Sequence, residues 1–360
     1  MQTIKNQYSQ LCSYENLCLA FQKARKRKTQ KPYVIDFQKN LKNNLLKLRT
    51  ELLLHSYKPK PLESFILRDP KTRKISSSDF RDRVVHHALC NIIEPKLQNK
   101  FIHDSFSNQK GKGTLAAIKR FEFFKIKVSQ NFSTLKNNKN IKGFVLKADI
   151  NKFFDSLSQN ILLDILQMTI KDKRIIWLIK IILKNHNTKE KGKGMPLGNL
   201  TSQFFANVYL NELDYYVKHN LKAKYYIRYV DDFVILNKSK EMLQEHQEKI
   251  NYFLKTKLNL ELHPDKSRIF SLYQGTDFLG IKIFSYYKSI KKRNINKFQK
   301  KIKSLYLEYK DGLIPYDKVY NTFEGWCAYI KNSDSYNLRK EFTIIYANNF
   351  SNEFSTYLYP

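Results

Sequence analysis

Residues 225–236, YYIRYVDDFVIL, limit the fold more than any other stretch of the chain. The tyrosines, isoleucines and valines favour strands, yet Asp231 and Asp232 stand side by side among them. Two like charges in a sheet core raise the free energy of folding unless cations pair with them. If Val230 and Asp231 form a turn, the run becomes a hairpin and the acids move to its tip. Lys and Arg are plentiful, but a divalent metal is the sharper candidate for the missing positive charge.

A third acid strengthens that reading. Residues 143–150, GFVLKADI, have the pattern of a buried strand that ends at Asp149. If this strand pairs beside the hairpin in one sheet, Asp149, Asp231 and Asp232 converge. Hard oxygen donors in such a cluster suit Mg²⁺, with Mn²⁺ as its substitute, sharing its coordination sphere with phosphates. Two such ions activate an attacking 3′-hydroxyl and stabilise a leaving pyrophosphate. The transferred group then needs cations in front of it. Arg68, Lys71 and Arg73, in the loop RDPKTRK, are candidates: Arg forks onto phosphate oxygens and Lys acts as a point charge.

Composition points to the same substrate class. Among 360 residues there are 65 Lys plus Arg against 32 Asp plus Glu, a net charge of +33, which calls for a polyanionic partner. An AT-rich genome would also enrich Lys, Asn and Ile, but it would not make acids scarce. The 23 Tyr and 25 Phe could stack on bases, although most should be core residues. Cys12, Cys18, Cys90 and Cys327 form no C-x-x-C pair and no zinc spacing, so free thiols in a reducing cytosol are expected. The start, MQTIKNQYSQ, lacks the apolar core of a signal peptide, and no apolar run approaches the ~20 residues of a membrane span. A cytoplasmic protein without a membrane partner is the expectation.

Along the chain, KARKRKTQK (23–31) reads equally as a solvated loop or a phosphate contact. Phe37, Leu41, Leu45, Leu48 and Leu52 predict one helix capped by Asp36 and ended by KPKP (58–61). SSSD caps the next helix, which Pro95 should limit. His86 and His87 have no third ligand nearby and are expected to pack or to face solvent. Residues 125–142 look like an exposed insertion. Helices are expected from about Ser158, around 174–184, after KGKGMPLGNLTSQ, over about 239–257, and from about 294 to the end. LELHPDKSRIF and GTDFLGIKIFSYY supply strand segments. The GKG triplets lack P-loop spacing.

A lone Y-x-D-D is weak evidence; the order of the motifs is not. Over about residues 62–345 the sequence resembles reverse transcriptases. RDPKTRKISSSDFRDRVV and SFSNQKGKG are similar to the two fingers motifs. LKADINKFFDSL is similar to the palm motif with the first metal aspartate, and GMPLGNLTSQFFANVYLNELD to the template- and nucleotide-contacting motif. RYVDDFVIL is similar to the metal-binding hairpin, and LHPDKS and DFLG to the late palm motifs.

The resemblance implies an α+β right-hand polymerase fold. An N-terminal helical extension would take 1–60, fingers 61–145, a palm with an antiparallel sheet 146–288, and a helical thumb 289–360. Asp149, Asp231 and Asp232 would form the catalytic acid set, and the carbonyl of Ile150 would help hold the metals. Arg68, Lys71, Arg73, Phe154, Leu197, Gln203 and Lys266 would face the dNTP. Among these, Phe154 would be the gate against a ribose 2′-hydroxyl and Lys266 a candidate proton donor to pyrophosphate. Phe278, Leu279 and Gly280 would form the primer grip. Template RNA, a DNA or RNA primer, and dNTPs would be the partners.

Leu197 stands where retroviral and group II intron enzymes usually carry Gln, and LGNLTSQ is similar to the reverse transcriptases of diversity-generating retroelements. That subtype implies error-prone copying of template adenines, mutagenic retrohoming and an oligomeric accessory protein. A physical reason is available, because a site that reads a polar group discriminates strongly and an apolar one does not. No H-N-H pattern follows the thumb segment, and the chain beyond residue 290 is too short for an RNase H-like domain. Two alternatives stay open: another bacterial reverse transcriptase, group II intron-like or phage-defence, and an RNA-binding protein with an inactive polymerase fold.

Overall fold

The computed structural model describes residues 3–68, 72–129, 143–186, 190–284 and 286–350. Lys71, a candidate phosphate contact, lies outside them, as does most of the 125–142 segment. Helices α1 (Tyr8–Leu11), α2 (Tyr14–Arg25), α3 (Pro32–Lys39) and α4 (Leu41–Leu53) come first. The hairpin β1 (Glu63–Leu67) and β2 (Arg73–Ser77) leads to α5 (Phe80–Gln98), β3 (Ser105–Phe106), α6 (Thr114–Ser129) and β4 (Phe144–Asp149). Then follow α7 (Phe153–Ser156), α8 (Gln159–Thr169), α9 (Lys173–Lys184) and α10 (Leu200–Tyr215), and the hairpin β5 (Tyr225–Tyr229) and β6 (Asp232–Asn237). The chain continues through α11 (Lys240–Leu258), β7 (Arg268–Ser271), β8 (Thr276–Phe278), β9 (Ile281–Ile283) and β10 (Lys288–Ile290). It closes with α12 (Lys292–Lys310), α13 (Tyr316–Ile330) and α14 (Tyr336–Asn349).

The residues fall into two compact units. One comprises Met1–Lys110, Leu146–Ile235 and Gln244–Arg268; the other comprises Gly111–Val145, Leu236–Leu243 and Ile269–Pro360. A five-stranded sheet has the order β3-β5-β6-β4-β7.

β5 and β6 are buried over their central positions, as their largely apolar run requires, and only their end residues, Tyr225, Tyr229, Asp232 and Asn237, are half-buried. The helices begin where their caps dictate. Asp79 accepts from Arg81 N at the start of α5, Ser158 from Ile161 N at α8, and Asp172 from Arg174 N at α9. Asp82, fully buried in α5, accepts from the Tyr57 hydroxyl at 2.8 Å, from Lys60 N at 2.8 Å and from Arg81 at 3.1 Å, so the loop before β1 is tied to α5.

In the second unit, Phe298, Ile302, Val319, Phe323, Phe342 and Tyr346 form the core of the three closing helices. Trp326 stacks on Phe298 at 4.3 Å. The β8–β9 hairpin packs by Phe278, whose ring stacks on Phe121 at 5.3 Å.

Three sequence expectations are corrected. Asp36 is not an N-cap: it lies inside α3, which starts at Pro32, a residue preorganised for the first helical turn. The predicted single helix is therefore two, broken at Asn40. Pro95 does not limit α5, which runs on to Gln98. A proline inside a helix costs about 3 kcal/mol, but Ile92, Ile93 and Leu97 around it are buried, and that burial offsets the lost backbone bond. The basic run 23–31 is not one loop, because Lys23 and Arg25 belong to the last turn of α2. Of the paired histidines His86 packs, at 3 % exposed, and His87 is half-buried.

Burial, and then the charges of His87 and Arg83, push the His86 imidazole down to about 3. A depressed folded value means that His86 opposes folding only when protonated. Its contribution is complete above the ordinary value of about 6.5 and is lost as pH falls toward 3. At pH 5 the expected loss is about 2 kcal/mol. Urea unfolding at pH 7 and pH 5 should show a smaller drop in His86→Gln than in the parent by about that amount.

Candidate active site

β6 and β4 are hydrogen-bonded neighbours, so the hairpin does pair beside the strand that ends at Asp149. The turn is Val230–Asp231, with Val230 at φ +57°, left-handed backbone that a β-branched residue rarely adopts. This turn lifts Asp231 and Asp232 to the mouth of the sheet, where both are half-buried. Asp231 reports the company it keeps. Burial first, then the carboxylates of Asp232 and Asp149, push its pKa up to about 6, against the pull of a backbone hydrogen bond and of Arg73. The structure thus brings Asp149, Asp231 and Asp232 into one electrostatic neighbourhood, within which the charge of Arg73 reaches Asp231.

Asp149 carries its own cation. Lys266 Nζ is 2.6 Å from Asp149 Oδ2. His263 N donates to the Asp149 carbonyl at 2.7 Å and Asn151 N to the Glu261 carbonyl at 2.9 Å. Those two bonds flank the Ile150–Leu262 bridge, so neither consumes the Ile150 carbonyl. Among the described residues no three acid, His or Cys side chains close into a ready metal cage. The donor set nevertheless fits a divalent ion. It consists of hard oxygens, and a carboxyl with a raised pKa marks a place short of positive charge. Asp149, Asp231, Asp232 and the Ile150 carbonyl are the groups that would hold it.

The remaining candidates are distributed as follows. Arg73 opens β2, opposite Leu67; Arg68 follows β1 and is exposed. The Phe-Phe pair after Asp149 splits. Phe153 is buried and packs against Tyr209, whereas Phe154 is half-buried and accepts a backbone bond from Met195 N at 2.8 Å. Leu197 is half-buried. Its carbonyl accepts from Ser76 N at 2.9 Å, and its side chain lines a cavity of about 420 Å³ with Lys74 and His186. Gly198 is required there: at φ +113°, an added Cβ would stand 2.7 Å from Ile75. Asn199 completes the stitch, bonding Ser78 N and Oγ and the Ser76 carbonyl. Gln203 is on the exposed side of α10. Phe278, Leu279 and Gly280 belong to the second unit. Leu279 and Gly280 form a tight turn with φ of +47° and +91°, and the Gly280 carbonyl accepts from the Tyr329 hydroxyl at 3.1 Å.

Sequence reasoning missed the support under the acid turn. Arg228, fully buried on β5, pairs with fully buried Asp214 of α10 at 2.6 Å and donates to the Val230 carbonyl at 3.0 Å. A lone Arg inside an apolar strand, and a lone Asp on a helix otherwise lined by Phe204, Phe205, Val208 and Leu213, were the available signals.

Acids gathered at a sheet end with cations in electrostatic reach are the arrangement of metal-dependent phosphoryl transfer. Residues 59–283 match the family described as "Reverse transcriptase (RNA-dependent DNA polymerase)". The chain belongs to that family and has its α+β right-hand polymerase fold. It is 26% identical over 273 residues to Protein YkfC of Escherichia coli, covering 65% of this chain and 69% of that protein. It is 24% identical over 298 residues to the Group II intron-encoded protein LtrA of Lactococcus lactis, covering 63% and 47%. A COX1/OXI3 intron 2 protein of Saccharomyces cerevisiae is 24% identical over 305 residues, covering 66% and 33%. The chain thus spans only a third to a half of two of these relatives. A solved apo telomerase from Candida Tropicalis aligns with 67% of this chain and 59% of its own at 13% identity, with a TM-score of 0.47, too low to bear on function. No helix among the described residues is long and apolar enough to cross a membrane.

The acid cluster has a measurable cost. The folded pKa of Asp231 lies above its ordinary value, so its ionisation opposes folding, absent below about 4 and complete above about 6. Without metal at pH 8, Asp231→Asn should stabilise the protein by about 1–2 kcal/mol, with little change at pH 4, as read by thermal melting at both pH values. Lys266→Met should lower metal-free stability yet tighten Mn²⁺ binding by titration, because it removes the cation that competes for Asp149.

Proposed function

We propose that this chain is an RNA-directed DNA polymerase that copies a retroelement RNA into cDNA. The observation that carries the proposal is the half-buried Asp231 carboxyl in the electrostatic reach of Asp232 and Asp149, within a family match spanning both strands. Mg²⁺ is the proposed metal, with Mn²⁺ as its substitute. When bound, the ions lower the charge on the α-phosphate and favour both the attacking 3′-oxygen and the leaving pyrophosphate.

The chain's own residues supply the rest. Asp149, Asp231, Asp232 and the Ile150 carbonyl hold the ions. Arg73 and Arg68, with Lys71, neutralise the triphosphate. Phe154 presents a ring edge where a ribose 2′-hydroxyl would collide, which selects dNTPs. Leu197 and Gln203 contact the nascent pair. Lys266, which pairs with Asp149, would be the proton donor to pyrophosphate. Phe278, Leu279 and Gly280 hold the primer end. In this reading 1–60 is an N-terminal extension, 61–145 fingers, 146–288 palm and 289–360 thumb. The net charge of +33 holds the template and primer backbones.

Leu197 in place of a glutamine favours the diversity-generating subtype, with errors concentrated at template adenines, mutagenic retrohoming and an oligomeric accessory protein. A second reading is an intron-type reverse transcriptase, favoured by the likeness to LtrA.

Primer extension on a defined RNA with dNTPs and Mg²⁺ tests the activity. Asp231→Ala and Asp232→Ala should each lower it at least about a thousandfold. No synthesis by the parent, even with its cognate RNA and accessory protein supplied, would favour an RNA-binding protein with an inactive fold. Sequenced cDNA separates the two polymerase readings. Leu197→Gln should raise accuracy opposite adenine more than opposite the other bases, and matching error spectra would remove Leu197 from that role.

A further inference from the structure

We infer that Arg228 is a positioning residue for the catalytic acids, fixing the peptide plane from which Asp231 projects. The inference rests on the polymerase reading above and adds a residue to it. A buried ion pair is a weak source of stability, because desolvating both charges costs about as much as their attraction returns. Its presence beneath the acid turn therefore asks for another role.

The hydrogen bonds name one. A guanidinium has five N–H donors in a rigid planar fork, and here they reach four residues on three segments: α10, β3 and the acid turn. Nε and Nη2 grip Asp214 at 2.7 and 2.6 Å. Nη2 also donates to Ser105 Oγ at 3.0 Å, and Nη1 to Asn207 Oδ1 at 3.1 Å and to the Val230 carbonyl at 3.0 Å. Nothing in this set is accidental to the fold. Asn207 and Asp214 are seven residues apart, two turns of α10, and so share one helix face. Ser105 lies opposite Arg228 in the parallel β3–β5 pair. Asp214 is oriented by the Tyr226 hydroxyl at 2.7 Å, and Asn207 by its bond to the Ser107 carbonyl at 3.1 Å.

The Val230 carbonyl belongs to the same peptide plane as the Asp231 N–H. Clamping that oxygen at φ +57° fixes how the chain enters Asp231. The anchor is α10, which begins directly after Leu197, Gly198 and Asn199, so one rigid helix sets both the acid turn and the proposed nucleotide-facing segment. Lysine would keep the charge but offers a point ammonium with three donors, too few to make these contacts at once.

The test uses the full chain and three readouts: Mn²⁺ binding by electron paramagnetic resonance without nucleic acid, thermal melting, and single-turnover primer extension. Arg228→Lys should melt cooperatively, weaken Mn²⁺ binding about tenfold and lower the extension rate tenfold or more, while the dNTP concentration at half-maximal rate stays within about twofold. Ser105→Ala removes one contact and leaves no unpaired charge. It should weaken Mn²⁺ binding by a few-fold, which keeps the inference testable if Arg228→Lys fails to fold. A folded Arg228→Lys, or failing that a folded Ser105→Ala, with the parent's Mn²⁺ affinity would overturn the positioning role. An inactive parent whose Mn²⁺ affinity still falls in Arg228→Lys would instead sink the polymerase reading and uphold the role of Arg228.

Discussion

Mutual repulsion among three carboxylates at one end of a sheet is the constraint around which the first unit is organised. Left alone, Asp149, Asp231 and Asp232 would drift apart or protonate, and the raised pKa of Asp231 records that pressure. The backbone prevents the drift. β4 and β6 are hydrogen-bonded neighbours, so the acids are carried by strands whose buried residues cannot shift without opening the core. Cations supply the local answer: Lys266 on Asp149, and the charge of Arg73 reaching Asp231. The cluster is therefore a site held ready for positive charge.

The parts of the fold set by strong local signals were legible in the sequence. The hairpin turn at Val230–Asp231, the strand ending at Asp149 and the caps at Asp79 and Ser158 follow from β-propensity, turn chemistry and capping. Each depends on neighbours within a few residues. Asp36 and Pro95 misled for the opposite reason. Pro32, a stronger helix starter than Asp36 is a cap, claimed the earlier position, and the burial of Ile92, Ile93 and Leu97 carried α5 through its proline.

The candidate site was legible in its acids and not in its support. Asp149 and the Asp pair stand out because charges are rare in apolar strands. Arg228, Asp214, Asn207 and Ser105 are bound by contacts across 14, 21 and 123 positions of sequence, and a single sequence holds no register from which to foresee them. The same applies to Asn199, whose bonds to Ser76 and Ser78 tie the PLGN turn to β2 across more than a hundred residues.

Val230 has a consequence of its own. Side chains branched at Cβ resist left-handed backbone by about 1–2 kcal/mol, where glycine would enter freely. A glycine at that corner would relax the loop, but it would also open many backbone geometries to the tip. The branched residue, held at an unfavourable angle, leaves the acids few alternative backbone geometries, at the expense of some resistance to unfolding.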